Sequence, residues 1–163
     1  MVPEQLELTP GMIRSLLIGL TPEQIVWKPA PDRFSIAEIL AHLADCEHAA
    51  YAVKFEQFAG EGEPALDPYD TDGMVARNAY SGRDAIESLE DFAAQRTKNL
   101  DRVRELADRT LHHRKAGPIS LTNLLNECAY HDLGHVRQIA ELVRALKYYP
   151  KMGPYTKLYK VNP

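Results

Sequence analysis

The chain has 163 residues, 45% of them hydrophobic and 26% charged, which suits one domain with a real core and excludes extended disorder. A net charge of -4, with Lys and Arg dispersed, lacks the basic footprint of a nucleic-acid binder. No apolar run nears the ~20 residues of a bilayer span, and MVPEQLELTP carries acids where a secretory leader carries bases, so the chain reads as cytoplasmic and free of membrane.

Met12, Ile13, Leu16, Leu17 and Leu20 recur at helical spacing and predict a first helix over Thr9 to Leu20. Thr21 to Phe34 holds three prolines and reads as an ordered loop offering Ile25, Trp27 and Phe34 for packing. Ser35 and Glu38 form a capping box that opens a second helix. Its stripe is Ile36, Ile39, Leu43, Cys46, Ala50 and Val53, passing to Phe58 near the end. Gly60, Gly62 and Pro64 stop it, and the segment to about Tyr80 has no sustained period.

Ser81 with Asp84 predicts the start of a third helix, whose stripe is Ile86, Leu89, Ala93, Arg96, Leu100 and Val103, with Arg96 interrupting the apolar seam. A connection from about Asp108 to Pro118 contains His112 and His113, after which Ser120 caps a long last helix. Leu121, Leu124, Cys128, His131, His135, Gln138, Leu142 and Ala145 take its core-facing positions. The helix ends before Pro150, and the aromatic-rich tail is expected to fold back on the bundle. Cys46 and Cys128, both within helical patterns, read as buried thiols.

Four helical patterns without an alternating strand pattern predict an all-α four-helix bundle, one domain over 1–163. The link between the second and third helices, about 20 residues, can run the length of a helix of roughly 35 Å and so permits a parallel crossover.

Residues four apart lie on one helix face, so His131 and His135 project side by side. Two buried imidazoles cost desolvation unless each finds a partner, and a shared divalent cation serves both; hydrogen-bonded core histidines are the bland alternative. A third ligand would come from His42, His48, His112 or His113. The last two sit in a Pro/Gly-bounded connection and read as surface groups, while His42 borders the buried stripe and His48 points about 120° away from it. The segment HDLGH invites comparison with the H-E-x-x-H zinc-protease pattern, but Asp132 is a methylene short and no further histidine follows. Asp45 and Glu127 each stand one turn from a candidate ligand, where they could receive its outer N–H or serve as solvated helix charges. Cys46 or Cys128 could add a fourth ligand.

The run WKPAPDRFSIAEILAHLADCE, followed about ninety residues later by LLNECAYHDLGHVRQIAEL, resembles the DinB-like (YfiT-like) metalloenzyme superfamily over most of the chain. The resemblance implies an up-down-down-up bundle with a long crossover between helices two and three. It also implies a metal triad at His42, His131 and His135, with zinc or nickel as the usual ion. Characterised relatives include thiol-dependent S-transferases and a thiol-dependent isomerase. The implied partners are a small-molecule electrophile and a low-molecular-weight thiol, activated as thiolate on the metal.

Three functions are therefore set against one another: a metal-dependent transferase, hydrolase or isomerase; a non-catalytic metal-binding or stress-response module; and an interaction bundle without metal. Spare apolar stripe on a four-helix protein also leads to the expectation of a homodimer.

Overall fold

The computed structural model describes residues 2–68 and 80–161; part of the long crossover, 69–79, lies outside the described residues. Four long helical units form the bundle. The first is α1 (Val2–Leu17), and a one-turn helix α2 (Pro22–Val26) follows inside the predicted loop, capped by Thr21. The second unit joins α3 (Ile36–Cys46) through a π-turn at Glu47–Tyr51 to α4 (Ala52–Ala59). The third is α5 (Ala85–Arg104) and the fourth α6 (Leu121–Val143), which runs on as a π-turn to Tyr148.

The capping box opens α3 as the sequence predicts: Glu38 Oε2 accepts from the Ser35 backbone N–H at 2.8 Å, and the Ser35 hydroxyl accepts in return. Ser120 caps α6 with Asn123 as its reciprocal partner. Other expectations shift. Helix α1 begins before Thr9 and buries Leu6, while Met12 is exposed. The cap of α5 is Asp84, not Ser81, its carboxylate accepting from the Ile86 and Glu87 N–H groups. That register buries Ala85, Leu89 and Phe92 and leaves Ile86 outside; Val53 on α4 is likewise exposed. Beyond α6 the tail forms two 3-10 turns with Tyr149 half-buried but Tyr155, Leu158 and Tyr159 exposed, so among the described residues little of the expected aromatic packing on the bundle is present.

A second correction concerns strands. Thr110–His113 (β1) and Gly117–Ser120 (β2) pair antiparallel, with Thr110 opposite Ser120 and His113 opposite Gly117. Four-residue strands are too short to display an alternating pattern, and Gly117, at φ 81°, supplies the positive φ that closes the turn. Leu66 docks on this hairpin through backbone bonds to His112 and Arg114.

Side-chain pairs between helices fix the topology. Asp45 meets Arg83, His48 meets Asp91 and Glu56 meets Arg102, numbers that rise together, so the second and third units run parallel. Arg14 meets Glu90 and Glu7 meets Arg104, which makes α1 antiparallel to α5. Phe34 faces Leu142 across a small cavity while His42 meets His131, which makes α3 antiparallel to α6. The course is up-down-down-up, and it requires the long crossover.

Two apolar clusters fill the bundle, one around Ile13, Ile39, Leu43, Phe92 and Ile139, the other around Leu6, Phe55, Phe58, Leu100 and Leu124. Between them lies a buried polar layer centred on Arg96, the seam-breaker of the third stripe. Its Nη1 donates to Asp132 Oδ2 at 2.7 Å and its Nη2 to Asp132 Oδ1 at 3.0 Å and Glu47 Oε1 at 2.7 Å. Asn99 donates to the other Glu47 oxygen at 2.8 Å. Burial opposes a charge on Arg96, but the bonds to Asp132 and Glu47 outweigh it and keep the guanidinium protonated. Burial pushes Glu47 up despite Arg96 and Asn99. Pro10, inside α1, lacks the N–H that would bond the Leu6 carbonyl one turn back; Arg96 Nη1 donates to that carbonyl at 3.0 Å instead.

Candidate metal centre

At the level of this layer, on the side facing α4 and the hairpin, three imidazoles converge. His42 comes from α3, two turns beyond the Ser35 cap, and is 2% exposed. His131 and His135 come from successive turns of α6 and are half-buried. His131 Nε2 lies 3.3 Å from His42 Nε2 and 3.2 Å from His135 Nε2. One ligand atom from each of the three falls within 4.8 Å of the others. Four ligands at about 2.05 Å around a tetrahedral ion stand about 3.3 Å apart, so the spacing is that of nitrogens gathered for one small cation.

The electrostatics match that geometry. Burial, then the charges that His135 and His131 would carry, pulls His42 down to about 3, with Asp45 opposing weakly. Burial and His135 bring His131 to about 3 as well, and burial lowers His135. All three imidazoles are neutral at pH 7, the form in which a ring nitrogen offers its lone pair. Gln138 Oε1 lies 2.8 Å from His135 Nδ1 and accepts its proton, which leaves Nε2 of that ring as the lone-pair nitrogen. His131 Nδ1 is buried and finds no partner among the described residues. These observations fit a divalent metal.

Around the cluster opens a cavity of about 560 Å³. Tyr51 stands edge-on to His131 at 6.1 Å, and Tyr80 edge-on to His42 at 5.8 Å. Cys46, also on the wall, places its Sγ 3.5 Å from His42 Nε2. Among the described residues no fourth His, Cys, Asp or Glu joins the mutual cluster. Cys128 lies instead in the core, its thiol pushed up by burial and 3.7 Å from Arg96.

The other sequence candidates separate cleanly. Asp132 is turned away from the histidines into the bidentate pair with Arg96 and cannot serve as the base of a protease-like motif. Asp45 pairs with Arg83 and the exposed His48 with Asp91. Glu127 lies on the cavity wall and Tyr130 is 83% exposed. His112 is exposed as expected, but His113, expected at the surface, is half-buried and lines the cavity, because the hairpin folds it inward. Sequence reasoning also missed Gln138 as the partner of His135, although the i, i+3 spacing carries that signal. Lys54, Asn123 and His113 as cavity residues have no local signal, since the crossing of separate elements creates that wall.

A helical bundle in which three neutral imidazoles from two antiparallel helices meet at a cavity offers the ligand set for one metal ion between helices. Residues 5–139 match the DinB superfamily, and the chain belongs to it. A provisionally named metal-dependent hydrolase of Oceanobacillus iheyensis is 24% identical over 144 residues, 86% of this chain and 83% of that protein. The solved structure of YfiT from Bacillus subtilis, described as a probable metal-dependent hydrolase with an unusual four-helix bundle topology, superposes with a TM-score of 0.77 at 23% identity. It covers 89% of this chain and 85% of the other.

Proposed function

We propose that this chain is a metal-dependent enzyme in which His42, His131 and His135 hold one divalent ion, zinc or nickel, and in which a small nucleophile is activated. The observation that carries this reading is the convergence of three neutral imidazoles on the wall of a cavity large enough for a small molecule. A bound ion would supply Lewis-acid chemistry, lowering the pKa of a thiol or water in the position the protein leaves free. The chain's own residues do the rest. Gln138 holds the His135 tautomer, Tyr51 walls the cavity beside His131, and Tyr80 packs edge-on against His42.

Transfer of a low-molecular-weight thiol to a small electrophile is the reaction we favour. The names of the two relatives favour hydrolysis by the same activation. Elemental analysis of protein purified without an affinity tag should find one equivalent of metal, lost in His131→Ala and kept in His112→Ala. Turnover of activated esters, and of electrophiles with added thiols, then separates the reactions. Metal-free protein whose every activity survives His131→Ala would overturn the proposal.

A second reading, a non-catalytic metal-binding or stress-response module, draws on Cys46, whose thiol 3.5 Å from His42 Nε2 would close the site if it moved onto the ion. A thiolate charge-transfer band in cobalt-substituted protein, absent in Cys46→Ala, would decide for it. We also propose a homodimer, supported by the exposed Tyr130 and Leu133 on the outward face of α6. Sedimentation at the mass of a single chain would reject it.

A further inference from the structure

The cavity has a second chemical end. From His131, Asn123 lies eight residues back along α6, a distance of about 12 Å at 1.5 Å per residue. Asn123, Lys54 and His113 all line the cavity. Each arrives with its acceptor already used or with none to offer. Asn123 Oδ1 accepts the Ser120 N–H, which leaves its amide hydrogens. His113 Nδ1 accepts the backbone N–H groups of Lys115 and Ala116 at 3.2 and 3.0 Å, which puts the ring proton on Nε2. Lys54 carries only donors, is half-buried, and has no carboxylate partner among the described residues. Its positive charge is felt at His113, where burial first, then Lys54 and Lys115, lower the imidazole against Asp67 and Glu127 and keep it a neutral donor, and more weakly at His131.

We infer that Lys54, with His113 and Asn123, forms a receptor for a carboxylate. The substrate is then an organic acid whose apolar stem, about 10 Å long, lies along Leu124, Ala50 and Tyr51 with its reacting end at the three histidines. The apolar stretch of wall between the two polar ends fits this division. Glu127, one turn from His131 on the same helix, is exposed and shares the wall. Its carboxylate repels the proposed ligand and is not part of the receptor.

The inference rests on the metal-centre reading for its reacting end only, so the test separates the two. Octanoate and octanamide, equal in length and differing in charge, are titrated by calorimetry into metal-loaded protein at pH 7.5. Octanoate should bind about tenfold more tightly or better, the factor a charge-assisted hydrogen bond carries. Lys54→Met should erase the preference with metal content and melting temperature unchanged, Lys54→Arg should keep it, and Glu127→Gln should sharpen it.

Equal binding of the two probes overturns the receptor, as does a preference that survives Lys54→Met. A preference that disappears when the metal is chelated also overturns it, because the carboxylate would then be a metal ligand. Weaker octanoate binding in Glu127→Gln counts against it too. If no metal is found yet the Lys54-dependent preference persists, the metal-centre reading fails and the receptor stands.

Discussion

His131 stands between the other two ligand candidates, its Nε2 facing two imidazole nitrogens at 3.2 and 3.3 Å. Without metal, protonating any one ring places a charge in a buried site beside two further rings. Unfolded histidines take a proton near pH 6.5, whereas folded His42 and His131 resist it to about 3. Between those values the unfolded state binds more protons, so stability falls as pH drops, by up to roughly 1.4 kcal/mol per pH unit for each ring. Urea midpoints of chelated protein should therefore decline from pH 6.5 toward pH 4, and His131→Ala should flatten the decline; parallel profiles would sink the idea. Gln138→Leu frees the His135 tautomer and should weaken metal affinity roughly 10- to 100-fold, measured by competition with a chelator.

At the scale of elements, what could be read from sequence is what depends on near neighbours. The Ser35–Glu38 box and the i, i+4 histidine pair are local, and both stand as the spacing predicts. Spacing favoured His42, which borders the buried stripe, over His48, and the family motif singled it out, because local period cannot say which histidine the second helix brings to α6. The hairpin escaped notice because each strand is four residues, and Ile86 was misplaced because Asp84 sets the start of α5. Arg96 was visible as an anomaly but not as an answer, for its partners lie 49 and 36 residues away. Arg96→Met leaves two buried carboxylates facing each other with no cation between them. It should cost about 3–5 kcal/mol and lower the melting temperature by roughly 10 °C at pH 7, a loss readable by calorimetry.

For the whole molecule, the two parallel central units and the long crossover let a bundle of modest size present one lateral cavity with a different polar group at each end. Neither end is built by one segment: the histidines come from α3 and α6, and the donors from α4, the hairpin and α6. The Arg96 guanidinium has a wider reach still. Rooted on α5, it touches the Leu6 carbonyl of α1, Glu47 at the end of α3, and Asp132 of α6. An assembly lacking any one helix would bury that cation with a partner missing, at a cost larger than such a fragment could recover from its remaining apolar surface. The metal-free chain should thus fold all or none, with near- and far-ultraviolet circular dichroism losing signal at one shared denaturant midpoint. In Arg96→Met, where nothing punishes incomplete association, the two midpoints should part.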